Sequence, residues 1–208
     1  MAVYKGNTTY YKVSLTTEGV AGLAREKEGY KWFGIPIEQE REAIIIPIFK
    51  GKTFPKYNGI TGNEEWIKKL IVFYEEKFYK AEKFAIHGDM CLCNVIFGEK
   101  EVFLIDWEHF HYASKDYYGF DILNMLFILL QYEYRWLTYW GFNWLPFVKK
   151  DTRIFIRHCW KMLGDSGFLR QPFTKTAWYI QKYMDKNKFI LGKQTPEVLE
   201  SLDVICKC

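Results

Sequence analysis

The sequence predicts a mixed α/β fold of the α+β kind, on three observations. Strand patterns and one helix make up the first fifty residues. A stretch rich in Gly, Pro and Asn follows. Beyond it the pattern is mainly helical, interrupted by one short pair of apolar strands. With 208 residues, the chain is long enough for one large domain or two small lobes around a cleft. The composition is 49% hydrophobic and 19% aromatic, which supports a sizeable core and excludes a disordered chain.

Residues 2–5 and 9–13 alternate about a Gly6-Asn7-Thr8 turn and read as a β-hairpin. Lys12 lies between Tyr11 and Val13 in that alternation, so it points to the face opposite both. A helix is expected over 17–32, with Val20, Leu23, Ala24, Tyr30 and Phe33 on one broad face. Glu26 falls inside that face and Glu28 towards its edge. A carboxylate on an apolar stripe needs a partner, and Lys12 is the candidate. Residues 42–48 read as a buried strand that Pro47 ends or marks as an edge. Gly51, Pro55 and Asn58-Gly59 make 49–62 a linker. The next helix is expected over 63–83, opened by a Thr61/Glu64 capping box and burying Trp66, Ile67, Leu70, Tyr74, Phe78 and Ala81.

Residues 86–106 carry the chemistry. They run Ile86-His87-Gly88-Asp89, four residues, Asn94, a strand at 95–97, a turn at 98–101 and a return strand at 102–105 ending on Asp106. Such a hairpin brings Asp106 back beside the loop that carries Asp89 and Asn94. One carboxylate can then take the proton of an attacking hydroxyl, while Asn94 and Asp106 offer oxygen ligands to Mg²⁺. Any one of these polar residues alone would be an ordinary turn or strand-end residue. The ordered set reads as a phosphoryl-transfer site.

His87-Gly88-Asp89-x4-Asn94 followed by Ile105-Asp106-Trp107-Glu108 resembles the small-molecule kinases related to aminoglycoside phosphotransferases and choline/ethanolamine kinases. The likeness is nearest to bacterial members from surface-polysaccharide gene clusters and spans residue 10 to about 140. It implies a two-lobed, protein kinase-like fold with an abbreviated N-terminal β-lobe and a mainly helical C-terminal lobe. The lobes would be 1–50 and 63–208, with 51–62 as hinge. It implies ATP and Mg²⁺ as cofactors, Asp89 as catalytic base, Asn94 and Asp106 as metal ligands, and Lys12 paired with Glu26 on the nucleotide phosphates. His87 and Asp121, the latter in Phe120-Asp121-Ile122-Leu123, would support the catalytic loop structurally. The implied activity is an O-phosphotransferase acting on a small alcohol or sugar hydroxyl, in surface-polysaccharide or lipopolysaccharide modification. A choline/ethanolamine-type kinase and a catalytically inactive pseudokinase binding module are the alternatives.

The chain departs from that family at its start. Two strands and a phosphate-covering loop need roughly 20 residues, and only eleven precede Lys12. Either Asn7-Thr8-Thr9 covers the phosphates or the sequence begins inside a longer protein. Phe120 is reached within fourteen residues of Asp106, too few for a peptide-docking segment, which favours a small acceptor.

Residues 125–130 are apolar on every side but fall well short of the ~20 that span a membrane, so a buried helix is expected. Aromatic residues crowd 132–147, as core packing or as an acceptor wall. A basic helix follows, with Lys149, Lys150, Arg153, Arg157 and Lys161 outward and Ile154, Phe155 and Met162 inward. It offers a solvated face, a contact for an anionic acceptor or a peripheral membrane contact. Thr195-Pro196 opens a last helix.

The net charge of +4 is no nucleic-acid signature, and the absence of a signal pattern leads to a cytoplasmic expectation. The five cysteines read as reduced thiols. The one-residue spacing of Cys91/Cys93 and Cys206/Cys208 is tighter than zinc sites use.

Overall fold

The computed structural model describes residues 1–40, 42–53, 60–133 and 149–165. Most of the aromatic run, the helix expected at Thr195 and the Asn58-Gly59 turn lie outside them. The described residues form a mixed α/β structure of three small antiparallel sheets and four α-helices. By its contacts the chain divides into two compact units. One comprises 1–54 with 85–112, the other 55–84 with 113–208.

In the first unit, β1 (Ala2–Lys5) and β2 (Thr9–Val13) pair as the expected hairpin, with Tyr4 opposite Tyr11. Strand β3 (Glu38–Glu40) and β4 (Ala43–Pro47) complete a sheet of order β1-β2-β4-β3. Pro47 is the last residue of β4, opposite Thr9, and the Ile48 N–H still donates to Thr8 O at 3.1 Å, so the missing proline N–H does not break the ladder. Helix α1 (Thr17–Phe33) starts where the Thr16 hydroxyl accepts the Gly19 N–H at 3.1 Å. Its inward face is Gly22, Leu23, Glu26, Gly29, Tyr30 and Phe33. Val20 and Ala24, expected on that face, are exposed. The buried stripe is narrower than the apolar pattern suggested, and it runs through two glycines that hydropathy does not register.

The same unit holds β5 (Ala85–Ile86) paired with β8 (His111–Tyr112), and β6 (Val95–Phe97) paired with β7 (Val102–Leu104). The β6–β7 hairpin turns at 98–101, where the Gly98 N–H donates to Glu101 O at 2.8 Å. Lys52 and Phe97 exchange backbone bonds of 3.0 and 2.9 Å, tying the end of the first segment to β6.

In the second unit, α2 (Glu64–Tyr74) passes into a π turn (Glu75–Tyr79) instead of running on to residue 83. That wider turn leaves Tyr74 and Phe78 stacked at 4.3 Å, both fully buried. The expected capping box is replaced. Glu133 Oε2 accepts the Ile60 and Thr61 N–H groups, and Thr61 Oγ1 donates to Glu133 Oε1 at 2.7 Å. Helix α3 (Phe120–Glu133) buries Phe120, Asp121, Ile122, Asn124, Met125 and Leu129. In α4 (Lys150–Asp165), Phe155 is buried as expected. Ile154 instead faces solvent, and Thr152 and Ile156 take the inward positions. No helix among the described residues is long and apolar enough to cross a membrane.

Candidate active site

All of the candidate catalytic residues except Asp121 fall within the first unit. The period-2 pleat turns Lys12 inward from β2, and its ammonium meets three carboxylates. Glu26 Oε2 lies at 2.7 Å, Asp106 Oδ1 at 2.5 Å and Glu108 Oε2 at 3.9 Å. The Glu26 contact is an ion pair off the hydrogen-bond direction, whereas Asp106 accepts a hydrogen bond from Lys12. Burial disfavours the ammonium, but Glu26 and Asp106 outweigh it and raise the Lys12 pKa above its usual value. Burial pushes Glu26 up to about 7 against the opposing pull of Lys12, with Asp106 and Glu108 adding repulsion. Lys12 therefore stays charged, while the surplus of negative charge around it is held at a cost.

Helix α1 delivers Glu26 to this cluster because it lies flush on Trp107. A Cβ built on Gly29 would sit 2.6 Å from the Trp107 Cβ, so only glycine permits the approach. Trp107 is fully buried, and its Nε1–H donates to Leu104 O at 2.9 Å. Its ring packs against Tyr30, Phe33 and His87. The residue next to Asp106 thus clamps the helix that carries Glu26. Arg25 closes the other side, its Nε donating to Glu108 O at 2.7 Å. Asp106 itself has φ +66°, making it the one non-glycine in the left-handed region among the described residues. Asp tolerates that conformation better than most residues, and such outliers concentrate at functional sites.

The loop from His87 to Asn94 is tied in from within. His87 is fully buried, its Nε2 lies 3.0 Å from Ile105 O, and its Nδ1 accepts the Asp89 N–H at 3.3 Å. Accepting at Nδ1 requires the neutral tautomer with the proton on Nε2. Burial lowers the His87 pKa to about 4 in keeping with this. Gly88 takes φ +87°, and a Cβ there would meet the His109 Cβ at 2.6 Å. Asn94 donates from Nδ2 to Asp89 O at 2.9 Å and to Asp89 Oδ2 at 3.3 Å. Its backbone carbonyl accepts the Ile105 N–H at 3.0 Å, which continues the β6–β7 pairing to the residue before Asp106. Burial raises the Asp89 pKa, His109 works against that rise, and Asp106 adds to it. A carboxylate so raised is a stronger base than one in water.

The structure therefore brings Glu26 and Asp106 onto the Lys12 ammonium, and Asp89, Asn94 and His87 onto one loop bonded to Ile105, the residue between β7 and Asp106. Asp121 is fully buried at the start of α3 in the second unit. Sequence reasoning assigned no role to Arg25, Trp107, Glu108 or His109. For Trp107 and Glu108 the signal was their adjacency to Asp106. For Arg25 and His109 there was none, because their contacts join segments far apart in the chain. The expectation of reduced thiols needs correction at one pair, since Cys91 and Cys93 form a disulfide. Extended backbone at Cys91 followed by the tight turn Leu92–Asn94 sets their Cα atoms 5.4 Å apart, within disulfide reach.

No family of known proteins matches the sequence, and no curated protein does. Among solved structures, the chain is similar to choline kinase LicA from Streptococcus pneumoniae. The match covers 99% of this chain and 87% of that chain at 12% identity and a TM-score of 0.34. At that level the likeness carries no weight for function, which rests on the side-chain geometry.

Proposed function

We propose that this chain is an ATP- and Mg²⁺-dependent O-phosphotransferase of the small-molecule kinase kind, acting on an alcohol or sugar hydroxyl. The observation that carries the reading is the buried Lys12–Glu26 pair, which meets the partly exposed Asp106 and is joined through Ile105 to the loop of Asp89 and Asn94. A lysine held by a helix carboxylate is positioned to meet nucleotide phosphates. Asp89, with its raised pKa, takes the acceptor proton. Asn94 spends its Nδ2 on Asp89, which fixes the carboxamide and leaves Oδ1 as its acceptor. The Asp106 side chain is 38% exposed. These oxygens fit a hard cation, and Asn94 and Asp106 would hold Mg²⁺, which when bound neutralises charge on the transferring phosphoryl group. Among the described residues no three His, Cys, Asp or Glu side chains gather into a metal group, so waters and triphosphate oxygens would complete the shell. A two-lobed kinase-like arrangement with 51–62 as hinge, and Asp121 as an anchor of the catalytic loop, belong to the same proposal.

Transfer of this kind has a loose transition state, so positioning and charge neutralisation supply most of the rate. The test is ADP release from ATP with and without Mg²⁺ across a panel of sugars and small alcohols, choline and ethanolamine included. Mg²⁺-dependent release stimulated by one acceptor is the expected result. No release with any acceptor would contradict the enzyme reading. One observation favours a second reading, a non-catalytic binding module. Asp106 is already paired with Lys12, so a cation and nucleotide must draw the two apart.

A further inference from the structure

The disulfide between Cys91 and Cys93 lies inside the loop that carries the candidate base and the Asn94 ligand, and nothing in the phosphotransferase reading uses it. Both cysteines are half-buried, within reach of a small thiol, while Leu92 between them is buried. The bond closes a ring over the turn whose defining hydrogen bond runs from the Asn94 N–H to Cys91 O at 2.9 Å. Cys93 Sγ lies 3.8 Å from Asn94 Oδ1, the oxygen that Asn94 keeps for a cation. A disulfide sulfur carries no hydrogen to donate. A free Cys93 thiol would, and it would point a weak donor at that oxygen.

We propose that Cys91–Cys93 is a reversible redox site that sets the competence of the catalytic loop. The oxidised form holds Asn94 ready for its ligand, and the reduced form loosens it. In reduction, two external thiols attack in turn. The Cys91–Cys93 S–S bond breaks, an external disulfide forms, and the two protons and two electrons of the external thiols end on the cysteines. A low-molecular-weight disulfide reverses the exchange. Loss of the cross-link frees the 89–94 loop, and the new S–H competes for Asn94 Oδ1. Cation binding and turnover then weaken together. The effect on turnover rests on the phosphotransferase reading, whereas the state of the loop does not.

Three readouts on the full chain test this. First, the protein is equilibrated with glutathione disulfide or with dithiothreitol, denatured, alkylated and digested. The peptide holding both cysteines should carry no alkyl group after the first treatment and two after the second. Alkylation after both would overturn the site. Second, hydrogen exchange at the Asn94 amide should speed up about tenfold on reduction, the size that loop-closure entropy gives for a ring this short. That change should vanish in Cys91→Ala/Cys93→Ala, and equal exchange in the two redox states would overturn the proposal. Third, half-saturating Mg²⁺ for ADP release should rise several-fold on reduction. An unchanged Mg²⁺ requirement with normal turnover overturns the regulatory role. If neither state turns over, the phosphotransferase reading fails and the exchange result decides on the switch alone.

Discussion

Helix α2 buries Ile67, Leu70, Ile71 and Tyr74, whereas α1 buries Leu23, Tyr30 and Phe33 together with Glu26 and two glycines. On α2 every inward side chain is apolar or aromatic, worth about 1.5–3 kcal/mol each in water-to-core transfer. On α1 much of that gain is given up. Each glycine costs a helix about 1 kcal/mol relative to alanine. Burying a carboxylate costs several kcal/mol that only its partner offsets. In return, Gly29 lets the helix touch Trp107, and Glu26 reaches Lys12. On α1 position is favoured over stability, and that is where the candidate chemistry lies.

The largest effect is expected at the Asp89 loop, bonded through Ile105 to the segment that carries Asp106. Asp89→Asn keeps the shape of the side chain and removes its basic oxygen, so turnover should fall about 10²–10⁴-fold. Melting temperature should hardly move. A variant with wild-type turnover would remove Asp89 from the mechanism.

Next comes a direct contrast of the two helices. Ile67→Ala should cost about 2–5 kcal/mol of stability, read from a urea titration, with turnover per folded molecule unchanged. Glu26→Gln should reverse the order. Lys12 keeps Asp106 as a partner, so stability should fall by only about 1–2 kcal/mol while nucleotide affinity and turnover drop clearly. Equal partition of stability and activity in both variants would erase the distinction between the helices.

A pH effect of middling size follows from His87. Its folded pKa of about 4 lies below the ordinary 6.5, so between these values the unfolded chain binds more protons. The contribution is full above pH 6.5 and is lost as pH falls towards 4, about 3 kcal/mol in all. Urea midpoints measured across that window should decline in the unmodified protein and flatten in His87→Gln. The same slope in both would assign the acid sensitivity elsewhere. The smallest chemical change with an effect on both stability and binding is Gly29→Ala. One methyl group pushed into Trp107 should cost about 1–3 kcal/mol, and it should weaken nucleotide binding through displacement of Glu26.

Local patterns made much of this legible. The β1–β2 hairpin, the span of α1 and the β6–β7 hairpin were readable because alternation, turn residues and caps act over a few positions. The Lys12–Glu26 pairing was readable for a different reason, since a carboxylate on an apolar stripe demands a partner. What escaped was long-range or invisible to hydropathy. The direct Lys12–Asp106 contact joins residues 94 positions apart. The inward face of α1 depends on glycines that score as neither apolar nor polar. The π turn after Tyr74 and the outward Ile154 reflect tertiary packing that periodicity alone does not carry. The Cys91–Cys93 bond depends on a backbone turn that spacing does not specify.

The central claim is that Lys12, held by Glu26 and Asp106, receives the phosphates of a nucleotide beside the Asp89 loop. Equilibrium binding of ATP in the presence of Mg²⁺, compared between the unmodified protein and Lys12→Ala, tests it most directly. A charge-assisted hydrogen bond is worth about 1.5–3 kcal/mol, so the variant should bind at least roughly tenfold more weakly. Equal affinity in the two proteins, or no binding by the unmodified one, would contradict the account.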